Sequence, residues 1–272
     1  MSASHPILIP VDFSEPCLAA VKHSYSLAKA ENCKIMLLNV QAKGAPSNGQ
    51  VQAQLQKLVE QIKSESGVEA EYKIVPGNKV ANLILKVAKE IEPRYIIIGL
   101  DKKGDSNEFI GSMTFRVISR SNAPVLCINK DRDMKFKKIV MPIDLSKSSR
   151  QKLPKVLHIA QLTDAEVDIL LVLEENHPLN KQKLILYGNQ VADMLSKKKV
   201  KNVTHFVTGG KYHRMITKHA DKVGADLLVI MTQAEYTYME LFVDKTAMHI
   251  INDTTIPVLS LRPLKIEGRT YF

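Results

Sequence analysis

The chain lacks any apolar run approaching the roughly 20 residues that a membrane-crossing helix requires, so no membrane partner is expected. Its start, Met1-Ser2-Ala3-Ser4-His5-Pro6, has no basic region followed by a long apolar stretch, and the run Ile7-Leu8-Ile9-Pro10-Val11 stops at Asp12, so a cytoplasmic address is expected. Cysteine is scarce. Cys17, Cys33 and Cys127 form no CxxC or Cys/His pattern, which argues against a zinc site or a disulfide framework and leaves buried or incidental thiols. The eight histidines contain no HExxH pair, and His213 and His219, six apart, do not share a helix face. No metal site is expected. The phosphate-loop pattern G-x4-G-K-[ST] is also missing.

What is present is ordinary for a soluble globular protein: 45% hydrophobic and 24% charged residues, which excludes wholesale disorder. Lys and Arg total 38 against 28 Asp and Glu, a balance that suits an acidic partner such as a nucleotide. The densest basic cluster, Lys197-Lys198-Lys199-Val200-Lys201, reads as the solvated end of a helix, where cations complement the helix dipole. Nucleic acid is therefore not an expected partner.

A repeat organises the chain. The stretch Ile7-Leu8-Ile9-Pro10-Val11-Asp12-Phe13-Ser14 reappears 132 positions later as Ile139-Val140-Met141-Pro142-Ile143-Asp144-Leu145-Ser146. The same offset pairs Val75, Gly77, Lys79, Ile84 and Ala88 with Val207, Gly209, Lys211, Ile216 and Ala220. By the last strand it has grown by one, since Pro124-Val125-Leu126 corresponds to Pro257-Val258-Leu259. Two tandem domains are expected, over 1–132 and 136–264, joined by a charged linker and followed by a tail at 265–272.

Within each copy, short branched apolar runs alternate with segments of helical spacing, the pattern of parallel strands joined by crossover helices. Strands are expected at about 7–11, 35–40, 71–75, 95–99 and 125–129, and again at about 138–143, 167–172, 203–208, 227–231 and 258–261. Helices are expected over 15–30, 51–65, 79–91 and 113–121; in the third, Val80, Leu83, Ile84, Val87, Ala88 and Ile91 share a face. Tyr95-Ile96-Ile97-Ile98 and Leu227-Leu228-Val229-Ile230 are apolar at every position, as strands covered on both faces must be. The class is doubly wound α/β, with two tandem five-stranded parallel sheets flanked by helices.

In such sheets ligands bind outside the carboxyl ends of the strands, where the strand order reverses. This singles out Pro10, Val11 and Asp12 after the first strand, Val40 after the second, and the loop from Gly99 to Gly111-Ser112-Met113-Thr114 after the fourth. At Gly111 and Ser112 two readings stand. An uncapped helix start can receive phosphate on its amides, with the Ser112 and Thr114 hydroxyls adding donors, or Ser112 caps the helix and Gly111 makes the turn without any ligand. Asp12 likewise either meets a ribose or base or forms a turn with Ser14.

Taken together these residues resemble the universal stress protein family in tandem form, over nearly the whole chain. The resemblance rests on the opening strand with Pro-Val-Asp-Phe-Ser, the loop Gly99 to Thr114, then Val117-Ile118 and Ala123-Pro124-Val125-Leu126. It implies an adenine nucleotide alpha hydrolase-like fold, and in the nucleotide-binding branch a loop of the form G-x2-G-x9-G-[ST]. Gly99, Gly111, Ser112 and Thr114 match this form, as do Val11, Asp12 and Val40 around it. The middle glycine does not: position 102 is Lys, Gly104 is displaced, and Gly99 to Gly111 spans one position too few. Lys102 and Lys103 stand where they can pair with phosphate.

In the second copy Gly111, Ser112 and Gly99 become Asp244, Lys245 and Met231, so a degenerate site is expected there. Asp101, Asp105 and Glu108 form no recognisable metal-holding arrangement, and no catalysis beyond slow ATP hydrolysis is expected. The leading expectation is a non-catalytic stress-response protein. Its first domain takes ATP, ADP or AMP, with Mg accompanying a triphosphate only. The resemblance also implies pairing of the two domains through Pro124–Ile128 and Pro257–Leu261, in imitation of a homodimer, with a further dimer of chains open. The alternatives are an interaction module that binds no nucleotide and a slow ATP hydrolase.

Overall fold

The computed structural model describes residues 5–42, 49–100, 111–129, 136–232 and 245–264. The charged linker, the tail and the greater part of the loop after the fourth strand, including Asp101, Lys102, Lys103, Gly104, Asp105 and Glu108, lie outside the described residues, as does Asp244. The chain divides into two compact units, Met1–Lys135 with Thr254–Leu259 and Phe136–Asp253 with Ser260–Phe272.

The first unit builds a parallel sheet from β1 (Ile7–Pro10), β2 (Ile35–Gln41), β3 (Ala70–Pro76), β4 (Tyr95–Leu100) and β5 (Val125–Asn129), in the order β3-β2-β1-β4-β5. The connections are α1 (Glu15–Glu31), α2 (Gly49–Ser66), α3 (Val80–Ile91) and α4 (Ser112–Arg120). The strand and helix bounds fall within about two residues of those read from periodicity. Ile7, Leu8, Ile9, Ile96 and Ile97 are fully buried, as side chains covered on both faces of a sheet should be. In α3 the buried stripe is Ala81, Ile84, Val87 and Ala88, while Val80, expected on that face, is 39% exposed in the first turn. One polar cluster interrupts this core. Tyr95 donates its hydroxyl to Glu31 (2.6 Å) and Arg94 donates from Nη1 to the other Glu31 oxygen (2.9 Å), so the buried carboxylate is paired.

The second sequence repeat follows the same plan. Its strands are β6 (Lys138–Ile143), β7 (Glu166–Leu173), β8 (Asn202–Thr208), β9 (Leu227–Met231) and β10 (Val258–Leu261), ordered β8-β7-β6-β9-β10, with α5 (Leu153–Thr163), α6 (Pro178–Lys197), α7 (Tyr212–Lys222) and α8 (Lys245–Asp253). The duplication extends to register: Ile7 pairs with Ile35 and Tyr95, and Ile139 pairs with Val167 and Leu227. Lys197, Lys198 and Lys199 lie exposed at the end of α6, the solvated helix terminus that the sequence pattern indicated. The copies differ at their first helix. The residue matching Glu15 is Lys147, yet α5 begins only at Leu153, after a stretch of turns. Pro154 in its first turn, where a missing amide proton costs nothing, marks the late start.

Candidate functional site

In the first unit the strand order reverses between β1 and β4. The carboxyl ends of these strands bring Pro10, Val11 and Asp12 beside Gly99, and Val40 lies at the end of neighbouring β2. The amide of Val11 donates to Leu38 (2.8 Å), and its carbonyl accepts from Nδ2 of Asn39 (2.7 Å), so the backbone after β1 is pinned from both sides. Oδ1 of the same buried Asn39 has no partner among the described residues. An orphaned buried acceptor costs free energy unless a donor arrives. Asn39 belongs to the stretch Asn39-Val40-Gln41 that the sequence singles out after the second strand, but only Val40 of it was assigned to the site.

Asp12 is engaged locally: its Oδ1 accepts from the amide (3.0 Å) and hydroxyl (2.6 Å) of Ser14. This is the turn-forming arrangement, and it leaves Oδ2 on an exposed side chain. Phe13 between them adopts φ 63°, a left-handed conformation that a bulky residue takes only under constraint. The Cys17 thiol donates to the carbonyl of Pro10 (3.3 Å), and burial pushes its pKa up to about 11, so it stays a neutral packing group. Cys33 is raised to about 11, again by burial, and all three cysteines are free and buried.

The two glycines separate in kind. A Cβ on Gly99 would overlap the carbonyl of Pro16, because the first turn of α1 lies directly against the end of β4. Gly99 is therefore required by helix packing whether or not a ligand binds. A Cβ on Gly111 would meet nothing within 4 Å among the described residues, and its φ is −56°, so neither a described contact nor its conformation demands glycine there. It opens α4 without a side-chain cap, and Gly111 and Ser112 are exposed while Thr114 is buried. Ser112 is thus the first helical residue and not the cap. The remaining amides at this start are free of intrahelical partners, the condition for anion binding.

The corresponding end of the second unit is built differently. A cavity of about 210 Å³ is lined by Asp144, Ser149, Lys152, Glu174, Tyr212 and Met231 among others. Lys152 takes the position of Ala20 and is 2% exposed; its Nζ donates to the Ser149 carbonyl (2.6 Å). Burial lowers its pKa to about 8, against the opposing pull of Asp144. Asp144 Oδ1 accepts from the Ser146 amide (2.8 Å), and Glu174 Oε1 from the Tyr212 amide (3.0 Å). Lys152 was missed because a lysine within a helical pattern reads as solvated. The late start of α5 opens this space, and it also explains why Met231 is tolerated where Gly99 is compulsory.

Two α/β domains with this strand order, reversing between β1 and β4 in the first and between β6 and β9 in the second, define a tandem protein of the adenine nucleotide alpha hydrolase-like fold. The chain belongs to the universal stress protein family, whose model matches it twice, at residues 4–129 and 135–262. It is similar to a universal stress protein of Methanocaldococcus jannaschii, with 29% identity over 141 residues, covering 46% of this chain and 82% of that one. Among solved structures, a universal stress protein from Archaeoglobus fulgidus covers 96% of this chain and 99% of its own, at TM-score 0.80 and 17% identity. A further structure, described as a putative universal stress protein from Pseudomonas aeruginosa, covers 96% and 94%, at TM-score 0.73 and 17% identity. At these identities the structural likeness speaks for the fold alone.

Proposed function

We propose that this tandem universal stress protein is a non-catalytic stress-response protein whose first domain binds an adenine nucleotide. The observation that carries the reading is the uncapped, exposed start of α4 at Gly111 and Ser112, following the strand at which the sheet order reverses. Phosphate fits the free amides, and open space at Gly111 admits it. The buried orphan acceptor of Asn39, at the same end of the sheet, calls for a donor of the kind an adenine amino group or a ribose hydroxyl supplies. Val11, Asp12, Val40, Gly99, Met113 and Thr114 complete the wall, and Mg enters only with a triphosphate. Nucleotide hydrolysis, in this reading, stays at background. The cytoplasmic address, the pairing of the two domains and a dimer of chains belong to the same reading; sedimentation of the full chain tests the dimer.

The second reading, an interaction module without nucleotide, draws on two observations: Pro16 alone accounts for Gly99, and Ser14 engages Asp12. Calorimetry of the full chain with ATP, ADP and AMP separates the two. Nucleotide binding at one site per chain, weakened at least about tenfold by Gly111→Asp while the melting temperature holds, supports the first. No heat at millimolar nucleotide sinks it.

A further inference from the structure

The second unit contains a group of side chains that the nucleotide reading does not use. Asp168 of β7, His205 of β8 and His219 of α7 converge from three elements: His205 Nδ1 lies 3.0 Å from Asp168 Oδ1 and His219 Nε2 lies 3.0 Å from Asp168 Oδ2. The three donor atoms all fall within 4.8 Å of one another. Asp168 and His219 side chains are 2% and 8% exposed, and His205 is 45% exposed, so the group has a buried floor and one open side. The two rings stand 4.9 Å apart at 55°, directed at one carboxylate and not stacked on each other.

We propose that Asp168, His205 and His219 form a divalent transition-metal site, of zinc type, with a water as the fourth ligand on the His205 side. Two imidazoles and one carboxylate are a borderline-soft donor set suited to Zn²⁺, and three protein ligands with an open position are a common zinc arrangement. A tetrahedral ion with bonds of about 2.0 Å needs donors about 3.3 Å apart. The two nitrogen–oxygen distances of 3.0 Å, each to a different Asp168 oxygen, are close to this, and the widest donor separation stays within 4.8 Å, so a modest turn of the rings closes the set on an ion. In the ion-free state each histidine presents an N–H to the carboxylate. When the ion binds at those nitrogens, each neutral ring carries its proton on its other nitrogen instead, so no net proton is lost from a neutral ring.

Comparison of the copies argues against a generic feature of the fold. At the same offset of 132 the first unit has Met36, Lys73 and Val87, and the register is identical, with Leu38 opposite Lys73 as Leu170 is opposite His205. All three ligands are thus particular to the second unit. A buried aspartate on a strand whose other buried positions, Val167 and Ile169 to Leu173, are apolar is costly, and a hydrophobic residue such as the first unit's Met36 would fill the position without that cost. The group is also separate from the cavity at the carboxyl end: Asp168 precedes Glu174 by six residues, roughly 20 Å of extended strand.

The test uses the full chain, stripped with chelator and titrated with Zn²⁺ by calorimetry and with Co²⁺ by visible absorption. One ion per chain with the intense ligand-field bands of tetrahedral Co²⁺ is the expected result, together with a higher melting temperature in Zn²⁺. His205→Ala, at an exposed position that should leave the ion-free fold intact, is expected to weaken binding more than about a hundredfold, and Asp168→Asn to weaken it as well. The stacked pair His213 and His249, with Asp253 at 3.7 Å, is the competing locus, so His213→Ala is expected to change nothing. Absence of a one-to-one complex, retention of binding in His205→Ala, or its loss in His213→Ala overturns the proposal.

Discussion

Gly99 and Pro16 are in such close apposition that the missing side chain of one is the seat of the other's carbonyl. Gly99→Ala should therefore force α1 away from β4 and destabilise the first domain by about 3 kcal/mol or more, the upper range for overpacking. The loss should appear in urea denaturation without nucleotide. A variant as stable as wild type would return Gly99 to a ligand-dictated role.

At Lys152 the prediction concerns charge. Burial pulls its pKa down from the ordinary lysine value of 10.5 to about 8, so the folded state disfavours the ammonium. The penalty is fully present below about pH 8 and fades as pH rises through 10.5, above which the amine is neutral in both states. Lys152→Met should accordingly stabilise the second domain at pH 7, on the order of 2 kcal/mol after loss of the bond to Ser149. Denaturation at pH 7 and pH 10 checks both size and trend: the advantage must shrink at the higher pH.

The scaffold was legible because its signals are local. Apolar strands such as Tyr95–Leu100, the offset of 132 and the buried faces of helices need no knowledge of what touches them. The close approach of Pro16 to Gly99 is tertiary, so the sequence offered for that glycine only the phosphate role that the family resemblance implies. Asp168, His205 and His219 were illegible for the same reason, since parallel register and a crossover helix bring together residues 37 and 51 positions apart in sequence. His219 was weighed against His213 on its own helix, whereas its partners lie on the sheet. The late start of α5 has a local signal in Pro154, but the sequence reading drew helix bounds for the first copy alone.

The Glu31 cluster yields an ordered series. Tyr95→Phe leaves a buried carboxylate with one partner fewer and should cost about 1–3 kcal/mol. Glu31→Ala leaves Arg94 and the Tyr95 hydroxyl without their acceptor and should cost about 3–5 kcal/mol. Chemical denaturation of both variants tests the order; equal, small losses would mean that water replaces the carboxylate freely.

A reciprocal graft probes why the two copies diverge. In a chain whose first site is silenced by Gly111→Asp, the double change Asp244→Gly with Lys245→Ser restores the first copy's residues at the helix start but should not create a tight nucleotide site. Met231 still lines the cavity, Asp144 and Glu174 still present carboxylates to an incoming phosphate, and the Lys152 ammonium is held by Ser149. The turns ahead of Leu153 also leave α5 without the first-turn geometry that α1 supplies through Pro16. Calorimetry should thus register affinity at least about tenfold weaker than that of the intact first domain. Full affinity from the double change would mean that the helix start alone selects the nucleotide, and that the cavity's charges and shape do not matter.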